Sequence, residues 1–272
     1  MEGTALVTGC SSGIGLESAL ALARGGRRTI AGMRDPSRGG ALEEAAQREG
    51  LDIKIVRMDV DDEESVSGAV AGAGGDLDVL VNNAGYMEFG CAEDVPLEAF
   101  RRQFETNFFG VVRAVQEALP VMRGRGRGTI INISSVVGRM GLPGSSAYVS
   151  SKFALEGFTE CLRYEVAPFG IRAALVEPGV TKTGFFGSMR VADAGEKEYK
   201  EMTGRILSGI GTMVEMGTPP SEAAAVVASI AGAETVRPRY VVGADAAMFM
   251  EARGSRGDAE FEEFVRKEVL QL

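Results

Sequence analysis

The sequence contains no histidine, and this absence restricts its chemistry more than any other feature of the composition. Nucleophilic sites of the Ser-His-Asp or Cys-His type are excluded, as are metal sites built from histidine. The cysteines, Cys10, Cys91 and Cys161, are few, scattered and odd in number, so neither a thiolate metal site nor a disulfide framework is favoured. Any acid–base chemistry must therefore use tyrosine, lysine, cysteine or carboxylate side chains, and we expect no metal.

Long apolar runs are also missing. No segment approaches the roughly 18 unbroken apolar residues that a membrane span requires. The first residues, MEGTALVTG, lack the basic region and apolar core of a secretion signal. Apolar residues make up 45% of the chain and charged residues 25%, as in ordinary globular proteins. We therefore expect a soluble, cytoplasmic protein with no membrane partner.

Positive charge is in the minority, since the formal net charge is −9. A chain of this sign has no global field that would attract nucleic acid, so no nucleic-acid partner is expected. One basic run, Arg123-Gly-Arg-Gly-Arg-Gly, could be an RNA-binding segment. It lies between two apolar elements, and a solvated loop is the better interpretation.

Short apolar runs alternate with segments of helical periodicity along the chain. Strands are predicted at 4–9, 28–33, 52–60, 77–85, 128–135, 171–179 and 239–244. Helices are predicted at 13–25, 39–49, 62–73, 97–122, 146–166 and 220–232. This alternation is typical of a parallel sheet covered by helices on both faces. We predict an α/β fold, a doubly wound parallel sheet of about seven strands, in one domain over residues 1–272.

A glycine-rich turn, Thr8-Gly9-Cys10-Ser11-Ser12-Gly13-Ile14-Gly15, joins the first strand to the first helix. Glycines let backbone N–H groups approach a pyrophosphate, and the helix N-terminus adds partial positive charge. The chain has 37 glycines, so the match alone is weak evidence. Its position between strand and helix is the context that favours dinucleotide binding over a purely structural turn.

The stretch AYVSSK places Tyr148 and Lys152 four positions apart. If it is helical, both side chains leave the same face about one turn apart. A phenol beside an ammonium could be a proton donor with a lowered pKa. It could also be an ordinary amphipathic pair on a helix surface.

In the order and spacing of its motifs, the chain resembles the short-chain dehydrogenase/reductase family up to about residue 183. The motifs are the Gly-x-x-x-Gly-x-Gly turn, Asp59-Val60, Asn82-Asn83-Ala84-Gly85, Ser134-Ser135, Tyr148-x-x-x-Lys152 and Pro178-Gly179. The segment MGLPGSSAYVSSKFALEGF and the Arg34-Asp35 pair resemble most closely the branch of hydroxysteroid and retinol dehydrogenases. The resemblance implies a Rossmann fold with a cofactor half at about 1–125 and a catalytic half at about 126–272.

The resemblance also implies catalytic roles for Asn107, Ser135, Tyr148 and Lys152. Tyr148 would exchange a proton with the substrate oxygen, and Ser135, thirteen residues upstream, would hydrogen-bond that oxygen. Lys152 would reach the nicotinamide ribose. Together with the positive ring of the oxidised cofactor, it would depress the pKa of Tyr148. Asn107 would hold a water that links Lys152 to solvent.

A nicotinamide cofactor is the bound group that the resemblance implies. Its expected contacts are Gly9, Ser11, Ser12, Gly13, Ile14, Gly15, Arg34, Asp59, Val60, Asn83, Ala84, Gly85, Tyr148, Lys152, Pro178, Gly179, Thr181 and Thr183. Arg34 follows the second strand, where an acidic residue commonly marks NAD, and a guanidinium there can pair with a 2′-phosphate. We expect NADP(H). Asp35 lies next to Arg34, and Arg34 could also be only a solvated loop residue, so NAD(H) is the alternative.

Loops beyond the carboxyl ends of the strands are expected to bind the substrate. The expected contacts are Ser135, Tyr148, Met140, Phe185 and Phe186. Segment 184–217 also carries an apolar stripe at helical spacing, at Tyr199, Met202, Ile206, Ile210 and Met213. The stripe indicates either a helix packed on the core or a lid over a hydrophobic substrate. We expect an apolar ketone or secondary alcohol, steroid-, retinoid- or polyketide-like.

Two further functions are compatible with this fold. One is a sensor that binds NADP(H) without consuming it, and the other is an epimerase that uses the cofactor only transiently. The four catalytic residues favour an oxidoreductase over the sensor. By resemblance, we also expect a homodimer or homotetramer formed through the helices at about 97–122 and 146–166.

Overall fold

The structure is a computed structural model that describes residues 3–192 and 198–270 of the 272-residue chain. Residues 193–197, which belong to the expected lid at 184–217, lie outside the described residues, as do the last two residues of the tail. Within the described ranges, none of the helices combines the length and apolar character needed to cross a membrane.

A seven-stranded sheet forms the centre of the molecule. Its strands run in the order β3-β2-β1-β4-β6-β7-β9, and every neighbouring pair is parallel. The strand bounds are β1 Thr4–Thr8, β2 Arg28–Met33, β3 Ile53–Arg57, β4 Leu77–Asn82, β5 Glu88–Phe89, β6 Gly128–Ile133, β7 Ile171–Pro178, β8 Arg190–Val191 and β9 Arg239–Val242. The two short strands, β5 and β8, pair with each other outside the main sheet. All seven strands predicted from the sequence are confirmed.

Helices connect the strands and cover both faces of the sheet. Their bounds are α1 Gly13–Arg24, α2 Gly40–Glu49, α3 Glu63–Ala73, α4 Leu97–Phe104, α5 Gly110–Arg125, α6 Ser146–Val166, α7 Lys200–Met216, α8 Pro220–Gly232, α9 Ala244–Ser255 and α10 Asp258–Val265. In β1, Ala5 and Val7 face a layer that contains α1, α2 and α8, whereas Leu6 faces the opposite layer with α3, α5 and α6. This alternation explains the continuous apolar strands, and the doubly wound Rossmann fold is confirmed.

Two helical regions differ from the sequence prediction. The helix predicted at 97–122 is divided by a π-helical turn, Glu105–Phe109, and continues to Arg125. Helix α9 was not predicted, since no element was assigned directly after the strand at 239–244. The tail is helical, and Phe261 and Val265 pack against α9 and the segment after β6. The last helical turn, Arg266–Leu270, also lies beside α7.

The basic run at 123–128 is part of the fold's surface. Arg125 and Arg127 both form ion pairs with Asp78, at 3.2 and 3.1 Å, and the Arg123 guanidinium lies over the ring of Phe169. The first half of the run, 123–125, is the last turn of α5, so the predicted solvated loop is limited to the two residues before β6.

Candidate functional site

The glycine turn after β1 has a backbone that only glycine accommodates. Gly9 and Gly13 have φ angles of +73° and +58°, in the left-handed region. A Cβ on Gly15 would lie 2.3 Å from the carbonyl oxygen of Gly9. Gly13 and Gly15 carry no side chain at the N-terminus of α1, so backbone N–H groups there can approach an anion. Ser12, at the N-cap, is exposed and makes no side-chain cap bond.

Asn83 and Ala84 fasten this turn to the end of β4. The Thr8 hydroxyl accepts the N–H groups of Asn83 and Ala84, both at 2.9 Å. The Asn83 amide donates to the carbonyl oxygens of Thr8 and Gly9, at 2.9 and 3.1 Å. The expected cofactor residues at the ends of β1 and β4 are therefore joined by hydrogen bonds into one unit, on which a ligand can lie.

Ser135, Tyr148 and Lys152 come together where β6 ends and α6 begins. The Ser135 hydroxyl accepts the N–H of Val137 and donates to the carbonyl oxygen of Pro178, both at 3.3 Å. It also lies close to Tyr148, whose side chain is partly buried. The Lys152 ammonium donates to the carbonyl oxygen of Ile133 at 2.8 Å and lies 5.7 Å from the centre of the Tyr148 ring.

Burial governs the titration of this group. It raises the pKa of Tyr148 to about 12, although the hydrogen bond from Ser135 acts in the opposite direction. Burial lowers the pKa of Lys152 to about 8, opposed by the negative charge of Glu156. The pKa of Tyr148 is therefore raised in the folded chain, whereas the sequence predicted that it would be lowered. That expectation also rested on the positive ring of the oxidised cofactor, so it stays a prediction for the complex.

Asn107 occupies the π-helical turn between α4 and α5. Its amide donates to the carbonyl oxygen of Tyr86 at 3.0 Å and accepts the Tyr86 N–H at 3.1 Å. The same amide nitrogen lies 3.4 Å from the Ser151 hydroxyl, next to Lys152 in sequence. The π turn aims Asn107 into the site rather than along a regular helix, as such turns often do at functional sites.

The residues after β2 and β3 lie at the same edge of the sheet. Arg34 is exposed. The Asp35 carboxylate accepts the backbone N–H and the hydroxyl of Ser37, at 3.1 and 2.7 Å. Asp59 follows β3, and its backbone N–H donates to the Ser65 hydroxyl. Val60 is buried against Gly110.

The segment after β7 crosses from the tyrosine to the glycine turn. A Cβ on Gly13 would lie 2.9 Å from the Thr183 methyl group, so Thr183 touches the turn. The Phe185 ring lies 5.6 Å from the Tyr148 ring, and Phe186 packs on Phe185 at 5.5 Å. The two phenylalanines expected to contact substrate therefore lie beside the tyrosine.

Met140 is buried in a cluster that also holds Tyr148 and the α9 side chains Phe249 and Met250. It also lines a cavity of about 640 Å³ bounded by residues 139–143, Phe153 and α10. Ser135, Tyr148 and Lys152 do not line this cavity. Sequence reasoning missed the α9 wall, because α9 itself was not predicted.

A buried carboxyl pair behind Lys152 was also missed. Glu156, one turn after Lys152, and Glu177 in β7 both face Arg239 Nε, at 2.9 and 3.1 Å. Arg139 lies 3.7 Å from Glu177. Burial and the neighbouring Glu156 raise the pKa of Glu177. The one signal in the sequence was a charged residue inside the apolar strand IRAALVEP.

Helix α7, which carries the apolar stripe, is poorly buried. Thr203 is its only buried residue, while Met202, Ile206 and Ile210 are half-buried and Met213 is exposed. The Tyr199 hydroxyl donates to Glu93 at 2.8 Å, where the helix begins. The stripe is thus covered only in part, and the packed helix and the lid, which are compatible with each other, both stay predictions.

Comparison with known proteins places these features in a family. The model of the short chain dehydrogenase family matches residues 3–193. Retinol dehydrogenase 8 of Bos taurus is 44% identical over 191 residues, which cover 68% of this chain and 61% of that protein. The chain thus matches less than two thirds of that relative's length.

Two solved structures are similar over most of the chain. A short-chain dehydrogenase from Streptomyces avermitilis has a TM-score of 0.83 and 33% identity, and the match covers 98% of this chain and 97% of that protein. An alcohol dehydrogenase from Thermococcus sibiricus, complexed with 5-hydroxy-NADP, has a TM-score of 0.72 and 29% identity, and covers 89% and 96%.

Proposed function

The chain belongs to the short-chain dehydrogenase family, and on that premise we propose that it is an NADP(H)-dependent oxidoreductase for an apolar ketone and the corresponding secondary alcohol. Members of the family bind a nicotinamide cofactor. The observation that carries the proposal is the cluster of Ser135, Tyr148 and Lys152, held together beside the glycine turn. The fit of the cofactor is supported by Gly9, Gly13 and Gly15, whose missing Cβ atoms let the turn lie directly against Asn83, Ala84 and Thr183 at the N-terminus of α1.

In the proposed mechanism, Tyr148 is the general acid during reduction and the general base during oxidation. Its hydroxyl gives a proton to the carbonyl oxygen, or takes one from the alcohol. Ser135 hydrogen-bonds that oxygen and Lys152 holds the nicotinamide ribose. Asn107 anchors the Tyr86 backbone beside them and orders the path to solvent. The bound cofactor supplies or accepts the hydride.

The preference for NADP(H) is proposed from the end of β2. The exposed guanidinium of Arg34 is placed to pair with a 2′-phosphate. Asp35 does not oppose it there, since its carboxylate caps the following turn through Ser37. Ser12 offers an exposed hydroxyl in the glycine turn. The Thermococcus sibiricus structure, complexed with an NADP derivative, supports the same choice.

The remaining cofactor contacts are proposed from their position at the carboxyl ends of the strands. Residues at the ends of β3 and β4 would line the adenine and central parts of the cofactor. Those after β7 would line the nicotinamide. The proposed set is Ser11, Ile14, Asp59, Val60, Asn83, Ala84, Gly85, Pro178, Gly179, Thr181 and Thr183.

An apolar substrate is proposed from the side chains around Tyr148. Phe185, Phe186, Met140 and the α9 wall of Phe249 and Met250 surround the tyrosine with apolar surface. The related retinol dehydrogenase 8 is named for an apolar substrate of this kind. Steroid-, retinoid- or polyketide-like compounds fit this chemistry.

The half-buried stripe of α7 is proposed to close over the substrate. A double variant, Ile206→Gln with Ile210→Gln, is expected to raise KM for a large apolar ketone about tenfold. The reason is that each substitution removes apolar surface that would be buried against the substrate. KM for a small aldehyde should stay unchanged. Steady-state kinetics with both substrates test this, and Ser208→Gln with Thr212→Gln, at exposed positions of the same helix, is the control. Unchanged KM for the large ketone would contradict the lid.

The pH profile of kcat/KM for reduction is expected to fall above about pH 8, where Lys152 loses its proton in the free enzyme. Glu156 raises the pKa of Lys152, so Glu156→Gln should lower it and move this limb to lower pH by about one unit. Glu160→Gln is the control, because Glu160 also pairs with Arg239 but is exposed. A limb that stays in place or moves to higher pH in Glu156→Gln would contradict the assignment.

The oligomeric state and the cellular location are proposed from surface features of the chain. Leu97, Phe109, Phe153 and Tyr164 are large and exposed on α4, α6 and the turn before α5. A homodimer or homotetramer through this face would cover them, and a monomer in sedimentation velocity would contradict it. The three cysteines are free, as in a reducing compartment, and we propose a cytoplasmic location for this one-domain protein.

The function is tested by NADPH oxidation with a panel of ketones, from small aldehydes to steroid- and polyketide-sized compounds. Turnover concentrated in large apolar members is the expected result. NADPH binding without turnover would favour the sensor. Interconversion of substrate stereoisomers with no net NADPH consumption would favour the epimerase.

A further inference from the structure

The segment 178–183 bounds the space between the catalytic cluster and the glycine turn. At one end, the Ser135 hydroxyl donates to the carbonyl oxygen of Pro178 at 3.3 Å. At the other, the Thr183 side chain rests against Gly13. A molecule that reaches from the glycine turn to Tyr148 must pass along this segment. Under the proposed function, the nicotinamide end of the cofactor lies there.

Asp245, in the first turn of α9, holds this segment from behind. Its carboxylate accepts the backbone N–H of Val180 at 2.7 Å. A Cβ on Gly179 would lie 2.3 Å from both carboxylate oxygens, and one on Gly243 would lie 2.7 Å from one of them. The two glycines therefore leave a seat shaped for this carboxylate. The N-terminus of α9 favours a negative charge at the same place.

Apart from the Ser135 and Thr183 contacts, the other attachments of the segment to neighbouring elements are made by backbone hydrogen bonds. Gly179 N–H donates to the carbonyl oxygen of Val242 at 2.9 Å. Thr218 N–H donates to the carbonyl oxygen of Val180, and Lys182 N–H donates to that of Thr218, both at 2.9 Å. These bonds fix the segment to β9 and to the loop before α8. Among the described contacts, Asp245 is the side chain from outside the segment that bonds Val180.

We propose that Asp245 is a positioning residue, whose carboxylate sets segment 178–183 and so places the nicotinamide end of the cofactor against Tyr148. The proposal rests on the proposed function, because it takes the cofactor to lie along this segment. It predicts a defect confined to one end of the cofactor. The adenine and 2′-phosphate end is proposed to lie at Arg34 after β2, which three strands of the sheet separate from β7, and it should be unaffected.

The test compares the affinity of Asp245→Ala for NADPH and for 2′,5′-ADP, which carries the 2′-phosphate but no nicotinamide. Loss of a hydrogen bond to a charged acceptor should weaken NADPH about tenfold and leave 2′,5′-ADP within about twofold, measured by calorimetry. Glu251→Ala, an exposed carboxylate on the same helix, is the matched control. Asp245→Asn keeps an acceptor for Val180 and should retain most of the NADPH affinity.

A second variant approaches the seat from the other side. Gly179→Ala should push against the carboxylate and weaken NADPH in the same way. Adding Asp245→Ala removes that clash, so the double variant should be no worse than the stronger single one. Gly179→Ala on its own keeps the proposal testable if Asp245→Ala fails to fold, because it disturbs the same contact while the carboxylate is still present.

Three results would overturn the inference. NADPH affinity unchanged in Asp245→Ala, an equal loss for NADPH and 2′,5′-ADP, or fully additive losses in the double variant would each do so. Failure of the unchanged chain to bind either ligand would instead refute the proposed function, and the inference with it.

Discussion

Tyr148→Phe is expected to reduce kcat for ketone reduction by about 10³-fold, within the range attributed to general acid–base catalysis, while NADPH still binds. Phenylalanine keeps the ring and its packing against Phe185 but has no proton to give. Purified wild type and variant would be compared by NADPH oxidation and by NADPH titration. Tyr164→Phe is the control, because Tyr164 lies on the same helix with 82% of its side chain exposed.

Proton donation by Tyr148 is the reason for so large an effect. Its raised pKa keeps the phenol protonated at neutral pH, which is the form that reduction consumes. Its side chain is partly buried, so water can replace it as the proton donor less readily than it would replace an exposed tyrosine. Activity in Tyr148→Phe within about tenfold of the wild type would contradict the assignment, since that loss is below the usual contribution of a general acid.

Much of this site could be predicted because its residues lie next to strand ends. The apolar runs predicted the strands, and the carboxyl ends of parallel strands meet at one edge of a sheet. Thr8, Asn83 and Ser135 therefore had to come near one another once the strand order was known. Spacing of four then placed Tyr148 and Lys152 on one helical face.

Contacts between distant elements could not be predicted in this way. Asp245 lies 65 residues from Val180, and Arg239 lies 83 residues from Glu156. No local pattern predicts which carboxylate will meet which arginine or which N–H. The π turn at Asn107 is also a tertiary effect, because the surrounding sequence is compatible with a regular helix and the contact with Tyr86 decides its shape.

The pKa values of the site residues show why the chemistry of the site was harder to predict than the identity of its residues. The spacing of Tyr148 and Lys152 indicated a lowered phenol pKa. That argument considered only the charge of Lys152, because the sequence does not show how far the two side chains are buried. In the folded chain Lys152 is buried and Tyr148 is partly buried, and desolvation disfavours the charged form of each. The carboxyl pair of Glu156 and Glu177, invisible to local spacing, adds negative charge one turn from the lysine.

Arg34→Glu is expected to reverse the cofactor preference. The guanidinium would no longer pair with the 2′-phosphate, and a carboxylate there would repel it. We expect NADPH affinity to fall about 100-fold, from the loss of about 3 kcal/mol in charge-assisted bonds. The same carboxylate can accept a hydrogen bond from the ribose 2′-hydroxyl of NADH, so NADH affinity should hold or improve.

Titration with both cofactors would measure this change. Arg48→Glu, an exposed charge reversal on α2, is the control for a general electrostatic effect on an anionic ligand. Because Asp35 already has its partner in Ser37, Arg34 alone should decide the preference. Equal affinity of the unchanged chain for NADH and NADPH would contradict the choice of NADP(H). An equal loss in Arg34→Glu and Arg48→Glu would mean that overall charge, and not a contact with the 2′-phosphate, sets the affinity.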